Sequence, residues 1–257
     1  MTRREKAYNR KLRDLMDNVG KLEDREVEKV VQILETARKD VAAMVASTEW
    51  EAYYIPEMKE AAARAVDRFK QQYMGQQNDF LSNMFNAGID MVDSPLQFAG
   101  IRTLAPEISR TALEIAQGYS ADLINGLTAD ALKKVNTELV LGVTGGKKPF
   151  DVMKAIGRNL DDKSVFKSIF HRAEAITRTE GARINSSARE VRMRGTVGNT
   201  DPEMTWEKKW ISSGKAKPRP HHRELDGVRV PVDEDFPYGL PYPHAPGLPA
   251  EEVVNCG

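Results

Sequence analysis

The chain has 257 residues, room for one large domain or two smaller ones. Its 38 Lys and Arg balance its 38 Asp and Glu, so no overall field draws it to nucleic acid or an acidic membrane, and any such contact has to be local. One cysteine, Cys256, excludes an internal disulfide and a four-cysteine metal site, while 40% hydrophobic, 30% charged and 7% aromatic residues point to a polar, helix-rich protein.

Met1–Lys6 leads into further charge and not into an apolar stretch, so no export signal is expected. Residues 1–24 carry Arg3, Arg4, Lys6, Arg10, Lys11, Arg13 and Lys21, with Leu12, Leu15 and Met16 as the only apolar stripe, which reads as a frayed or docking helix. From Val27 the pattern sharpens, because Val30, Val31, Leu34, Val41, Met44 and Val45 recur at helical spacing. Pro56, followed by Glu57 and Glu60, predicts the first turn of a second helix running to about Met74. Leu81, Met84, Phe85, Gly88 and Val92 mark a third, punctuated by Asp93-Ser94-Pro95.

Between Ile101 and Leu141 two further helices are expected, with Pro106 and Thr128 as starts and Gly118 and Gly126 as breaks. Gly145-Gly146-Lys147-Lys148-Pro149 is a turn, before a helix that carries Phe150, Val152, Met153 and Ile156. A long helix follows from Val165 to about Met193, whose Arg172, Glu174, Arg178, Glu180, Arg183, Arg189 and Glu190 read as a solvated face. No apolar run, Leu139–Val143 included, approaches the roughly 18 residues of a membrane span, so a soluble protein of the cytoplasm is expected. After Gly195 prolines accumulate and helical periodicity fades. Met204–Ile211 suits a strand, Val228–Val232 an edge strand interrupted by Pro231, and Ser212–Pro220 a basic loop. The fold class is mainly α: a helical region, 1–160, then a small α+β module, 161–257.

Little of this carries recognisable catalytic chemistry. His221, His222 and Asp226 offer imidazole and carboxylate donors suited to zinc or manganese, but adjacent histidines would point apart in a strand. The blander reading has His222 and Asp226 bracing a tight turn, with Gly227 supplying backbone freedom. A zinc set of His222, His244 and Cys256 would need one more ligand. Ser212 and Ser213 lack a nucleophile elbow, Cys256 lacks an activating neighbourhood, and Gly142–Lys147 fails as a phosphate loop because Lys148 stands where a hydroxyl is needed. Neither a catalytic residue nor a cofactor is expected. Lys208, Lys209, Lys215, Lys217, Arg219 and Arg223 crowd into one stretch ahead of Asp226, Asp233, Glu234 and Asp235. They suit DNA phosphates, an acidic protein surface, or a solvated loop.

Four short elements occur in order over residues 170–257: Ala175–Glu180 with Asn185, then Lys209-Trp210-Ile211, then Arg219–Gly227 containing His222, and finally Tyr242–Pro249 with Glu252 and Asn255-Cys256. Together they resemble the phage Mu F-like head morphogenesis family, also called minor head or minor capsid proteins. The matching positions are Arg178, Thr179, Glu180, Asn185, Trp210, His222, Asp226, Gly227, Asn255 and Cys256. Two departures stand out. His244-Ala245-Pro246 occupies the place of the family's common Gly-Asp-Pro, and Gly257 follows Asn255-Cys256 where the family often continues Arg-Cys.

The resemblance implies a non-enzymatic minor head protein of low copy number, held inside the capsid at the portal vertex and present in the host cytoplasm during assembly. It would assist head morphogenesis, contact packaged DNA without sequence preference, and accompany it on ejection. Its implied partners are the portal protein and the scaffolding or major capsid protein, with no membrane contact, and the helices of 1–160 would supply the docking surface. The residues leave one other reading open, a metal-dependent hydrolase or nuclease using His221, His222 and Asp226.

Overall fold

The structure is a computed structural model that describes residues 2–47, 49–103, 106–161, 163–197, 199, 205–212 and 219–249. The first helix, α1, spans Arg3–Ser47 without interruption. It opens with a reciprocal cap: the Thr2 amide donates to Glu5 Oε2 at 2.6 Å and the Glu5 amide donates to Thr2 Oγ1 at 3.2 Å. The basic segment, expected as a frayed or docking helix, is therefore the capped start of a 45-residue helix.

Helix α2, Ile55–Phe98, replaces the two helices expected there. The run Gln71-Gln72 to Gln76-Gln77 dilutes the apolar pattern, yet glutamine is a good helix former and the backbone stays helical. Pro95, expected to stop the chain, lies inside the last turn. Helix α3, Thr111–Val143, likewise replaces an expected pair. It begins where the Ser109 hydroxyl accepts the Thr111 amide at 3.2 Å, not at Pro106. Thr128, expected as a start, sits in mid-helix with its hydroxyl donating back to Ile124 O at 2.9 Å, and Gly118 and Gly126 do not break it. Helix α4, Pro149–Ile156, follows the expected turn with proline in its first turn, and α5 spans Val165–Val197.

Strands β1, Glu207–Lys209, and β2, Arg229–Pro231, pair antiparallel with Lys208 opposite Val230. Between them in sequence, α6, Pro220–Leu225, carries both His221 and His222. The favoured expectation here was a tight turn braced by His222 and Asp226; the histidines instead lie on a short helix, with proline in its first turn. Mainly helical architecture with one small sheet is thus the observed fold.

The chain divides into two compact units, one of Met1–Glu23, Phe80–Ala116 and Arg178–Gly257, the other of Asp24–Asp79 and Gln117–Thr177. The second unit has an aliphatic and aromatic core: Val30, Leu34 and Val41 of α1, Ala62, Phe69 and Tyr73 of α2, Ile124, Leu127, Val135 and Leu139 of α3, Val152 and Ile156 of α4, and Phe166, Ile169 and Ala173 of α5. Burying each large side chain of this kind contributes about 1.5–3 kcal/mol. The Tyr73 hydroxyl lies 2.8 Å from Ala173 O and 2.9 Å from Thr177 Oγ1, and Arg38 Nη1 donates to the carbonyls of Gly157 and Arg158 just after α4. The first unit has two smaller clusters. Phe80, Leu81, Met84, Phe85, Leu113, Ile184 and Ala188 form one; Trp210, Leu225, Phe236 and Leu240 form the other.

Candidate functional site

The resemblance directs attention to α5 from Arg178 onward, which lies in the first unit. Thr179, Glu180, Asn185, Ser186 and Glu190 are all buried there. Buried polar groups have to find partners, and each partner fixes geometry. Asn185 Nδ2 donates to Met84 O of α2 at 3.0 Å. This bond demands close approach of two helices, which Gly88 permits: a Cβ at Gly88 would sit 2.4 Å from Asn185 O and 2.9 Å from Ala188 Cβ. On the other side of the contact, Gly181 clears the Phe80 ring, where a Cβ would meet Cε1 at 2.5 Å.

Glu180 and Glu190 correct the expectation of a solvated face, because both are buried and, of Arg183, Arg194 and Lys208 that pair with them, Arg194 alone is substantially exposed. Arg183 Nη1 donates to both Glu180 carboxylate oxygens at 3.0 Å. Burial pushes the Glu180 carboxyl above its ordinary value, and the Arg183 guanidinium opposes the shift. Burial also lowers the Arg189 guanidinium, opposed by Glu190 and by Tyr8 of α1, whose own hydroxyl is raised by burial.

Glu190 joins the helix to the C-terminal module. Its Oε1 accepts from Lys208 Nζ of β1 at 2.9 Å and from Arg194 Nε at 2.8 Å, while Oε2 is buried with no hydrogen-bond partner among the described residues. Lys208 also donates to Pro241 O at 2.8 Å and stands 5.4 Å from the Phe236 ring centroid. At 4% exposure it is removed from the set of cations facing outward, which corrects its grouping with Lys209 and Arg223.

Within that module Trp210 is the hub. Its amide donates to Val228 O at 2.9 Å and its carbonyl accepts the Gly227 amide at 3.0 Å. The indole meets Phe236 edge-on at 5.1 Å and the His222 ring at 5.6 Å. His222 is buried in this contact. Gly227 has φ of +87°, and Asp226 Oδ1 accepts the Ser212 amide at 2.8 Å. His221 faces Tyr238 at 5.8 Å, and the exposed Tyr238 hydroxyl is pushed up by the hydrogen bond it donates to Glu224 Oε2 at 2.6 Å.

Among the described residues no group of three or more His, Cys, Asp or Glu side chains is placed to hold a metal ion, so His221, His222 and Asp226 do not assemble into a ligand set. Two surface depressions, one along Gln71, Gln72, Gln76 and Asp79 and one along Leu132, Lys133, Val140 and Leu141, contain no histidine or cysteine. Lys209 and Arg223 are exposed and Arg219 is half-buried. Lys215, Lys217, Asn255 and Cys256 lie outside the described residues, as do Ser213, Glu251 and Glu252. No helix of the described residues is long and apolar enough to cross a membrane.

The protein is mainly helical with a small C-terminal sheet, and Asn185, Glu190 and Trp210 are engaged in contacts between its elements. Residues 133–256 match the family described as Phage Mu protein F like protein, just under half of the chain. Over that segment the chain is similar to the Mu F-like family, a bacteriophage class related to the head. No curated protein and no solved structure is similar enough to the chain to count as a match.

Three features of this site escape sequence reasoning or nearly so. The Lys208–Glu190 pair joins residues 18 apart through a segment of no regular period, and the Asn185–Met84 contact spans 101 positions. The capping box at Thr2 and Glu5 was legible as Thr-x-x-Glu.

Proposed function

We propose that the chain is a phage minor head protein, carried inside the capsid at the portal vertex, which assists head morphogenesis and touches the packaged DNA. The observation that carries this reading is the family match over residues 133–256. The burial and pairing of Glu180, Asn185, Glu190, Trp210 and His222 support it, since these residues serve the packing of the module. Portal and capsid partners dock on the helices of 1–160, and the exposed Lys209 and Arg223, with Arg219, Lys215 and Lys217, face an acidic partner or DNA phosphates.

Quantitative mass spectrometry of purified particles from the source phage, before and after triggered DNA release, tests the reading. A few copies per particle, and co-purification with the portal protein from procapsids, are the expected results. Absence from both particles and procapsids overturns it. Loss on release identifies a protein that leaves with the DNA.

A further inference from the structure

The first three turns of α1 carry charge in an ordered way that neither the family match, which begins at residue 133, nor the C-terminal basic stretch accounts for. Arg3, Lys6, Arg10 and Arg13 follow the i, i+3, i+7, i+10 spacing that keeps one side of a helix, and all four are exposed. The stripe is about 15 Å long at 1.5 Å per residue. Asp14 and Asp17 bound it on the C-terminal side. Tyr8, Leu12, Leu15 and Met16 fall on the opposite side and are half-buried.

Elsewhere in the protein helical arginines have acids beside them: Arg64 with Glu60, Arg68 with Asp40, Arg183 with Glu180, Arg192 with Asp93 and Arg194 with Glu190. No ion pair with a described residue holds any of the four stripe cations. Arg10 lies instead over the ring of Phe98 at 5.3 Å, and Arg13 donates to its own helix at Asn9 O. The Thr2 and Glu5 amides are engaged by the reciprocal cap, and the charge of the stripe belongs to its side chains.

We propose that this stripe is a binding surface for the phosphate backbone of double-stranded DNA. The steps along the helix, about 4.5–6 Å between neighbouring cations, suit a row of discrete phosphates. A protein partner would be expected to seat on an exposed apolar anchor; beside the stripe stands Phe98, and its ring already has the Arg10 guanidinium over it. No base-reading arrangement accompanies the cations, so the contact is independent of sequence. The proposal rests on the phage-head reading only for its biological setting; the binding itself does not require it.

The test is fluorescence anisotropy of the full chain with a labelled duplex of arbitrary sequence across a salt series. The unsubstituted chain is compared with the variant Arg3→Gln/Lys6→Gln/Arg10→Gln/Arg13→Gln, whose helix content is checked by circular dichroism. Glutamine keeps helix propensity at exposed positions, so the fold should persist. Four phosphate contacts lower affinity by roughly 150-fold between about 50 and 200 mM salt, and the variant is expected to lose that part of the slope, close to 3.6 in log K against log salt. An unchanged slope overturns the proposal. So does loss of binding on Lys209→Gln/Arg223→Gln with none on the stripe variant, or binding to poly-glutamate or anionic vesicles without binding to the duplex. The phage-head reading fails separately, through absence from particles of a chain that still binds DNA.

Discussion

The two compact units bury different kinds of side chain, and α5 contributes to both. Before Arg178 it buries Phe166, Ile169 and Ala173 with a single polar residue, Thr177, joining a mostly apolar core; beyond that point it buries Thr179, Glu180, Asn185, Ser186 and Glu190 alongside Ile184 and Ala188. Apolar burial is non-directional and tolerates exchange of one hydrophobe for another of similar volume. Polar burial requires a partner at a fixed distance and angle, so it prescribes residue identity. Arg178, Thr179, Glu180 and Asn185, the α5 positions on which the resemblance to the Mu F-like family rests, fall in the polar half, where identity is prescribed.

The sharpest way to break this contrast is at the Lys208–Glu190 pair. Lys208→Met leaves the buried Glu190 carboxylate without its most buried partner and is expected to cost about 3 kcal/mol in urea unfolding. Adding Glu190→Leu should restore much of that loss. A single variant as stable as the parent would mean that the pair contributes nothing to holding the module.

Next in size is close approach. Gly88→Val should cost about 1–3 kcal/mol, because the added carbons meet Asn185 O and Ala188 Cβ. Leu127→Met in the apolar unit should cost less than about 1.5 kcal/mol. Equal losses in thermal unfolding would erase the distinction drawn between the units. Hydrogen bonds give a smaller effect: Asn185→Ala and Tyr73→Phe should each cost about 1 kcal/mol, measured the same way.

The pH dependence sharpens the comparison further. Burial raises the Glu180 carboxyl in the folded state, so folded protein holds that proton more tightly than unfolded chain. Its contribution to stability is complete below the ordinary carboxylate range and is lost as pH rises through the raised folded value. Denaturation curves between about pH 4 and 7 should show this decline in the parent and less of it in Glu180→Gln; parallel curves would remove Glu180 as its source. Smallest, and opposite in sign, is Gly126→Ala, which adds a methyl into open space and should stabilise the protein by about 0.4–1 kcal/mol in thermal unfolding.

The apolar unit was the more legible. Val30, Leu34, Val41 and Val45 stand at helical spacing in the sequence and are buried in the structure. Element boundaries suffered where weak helix breakers were read as stops: Gly118, Gly126 and Pro95 all lie within helices, because packing along the remainder of each helix outweighs a local penalty of one to a few kcal/mol. The polar site was legible as letters but not as contacts. Glu180 and Glu190 look like solvated helical charges until β1 and α2 are in place, since a charge at helical spacing carries no mark of what will cover it. His221 and His222 invited a metal reading for the same reason, whereas packing of His222 against Trp210 depends on α6 turning the chain after Pro220.

The turn around Trp210 has a practical corollary. Ser212 is tied to Asp226, and the backbones of Trp210 and Gly227 are tied to each other, so the connection from Ser212 to Asp226, α6 included, leaves and rejoins the Trp210 turn at fixed points. Lengthening a connection with fixed roots costs little, about 0.6 kcal/mol for each doubling. That makes its part between Ser212 and Arg219 the natural place for a graft: an epitope or small fluorescent reporter inserted there should leave the Trp210 cluster intact, and offers a means of following the chain into and out of particles.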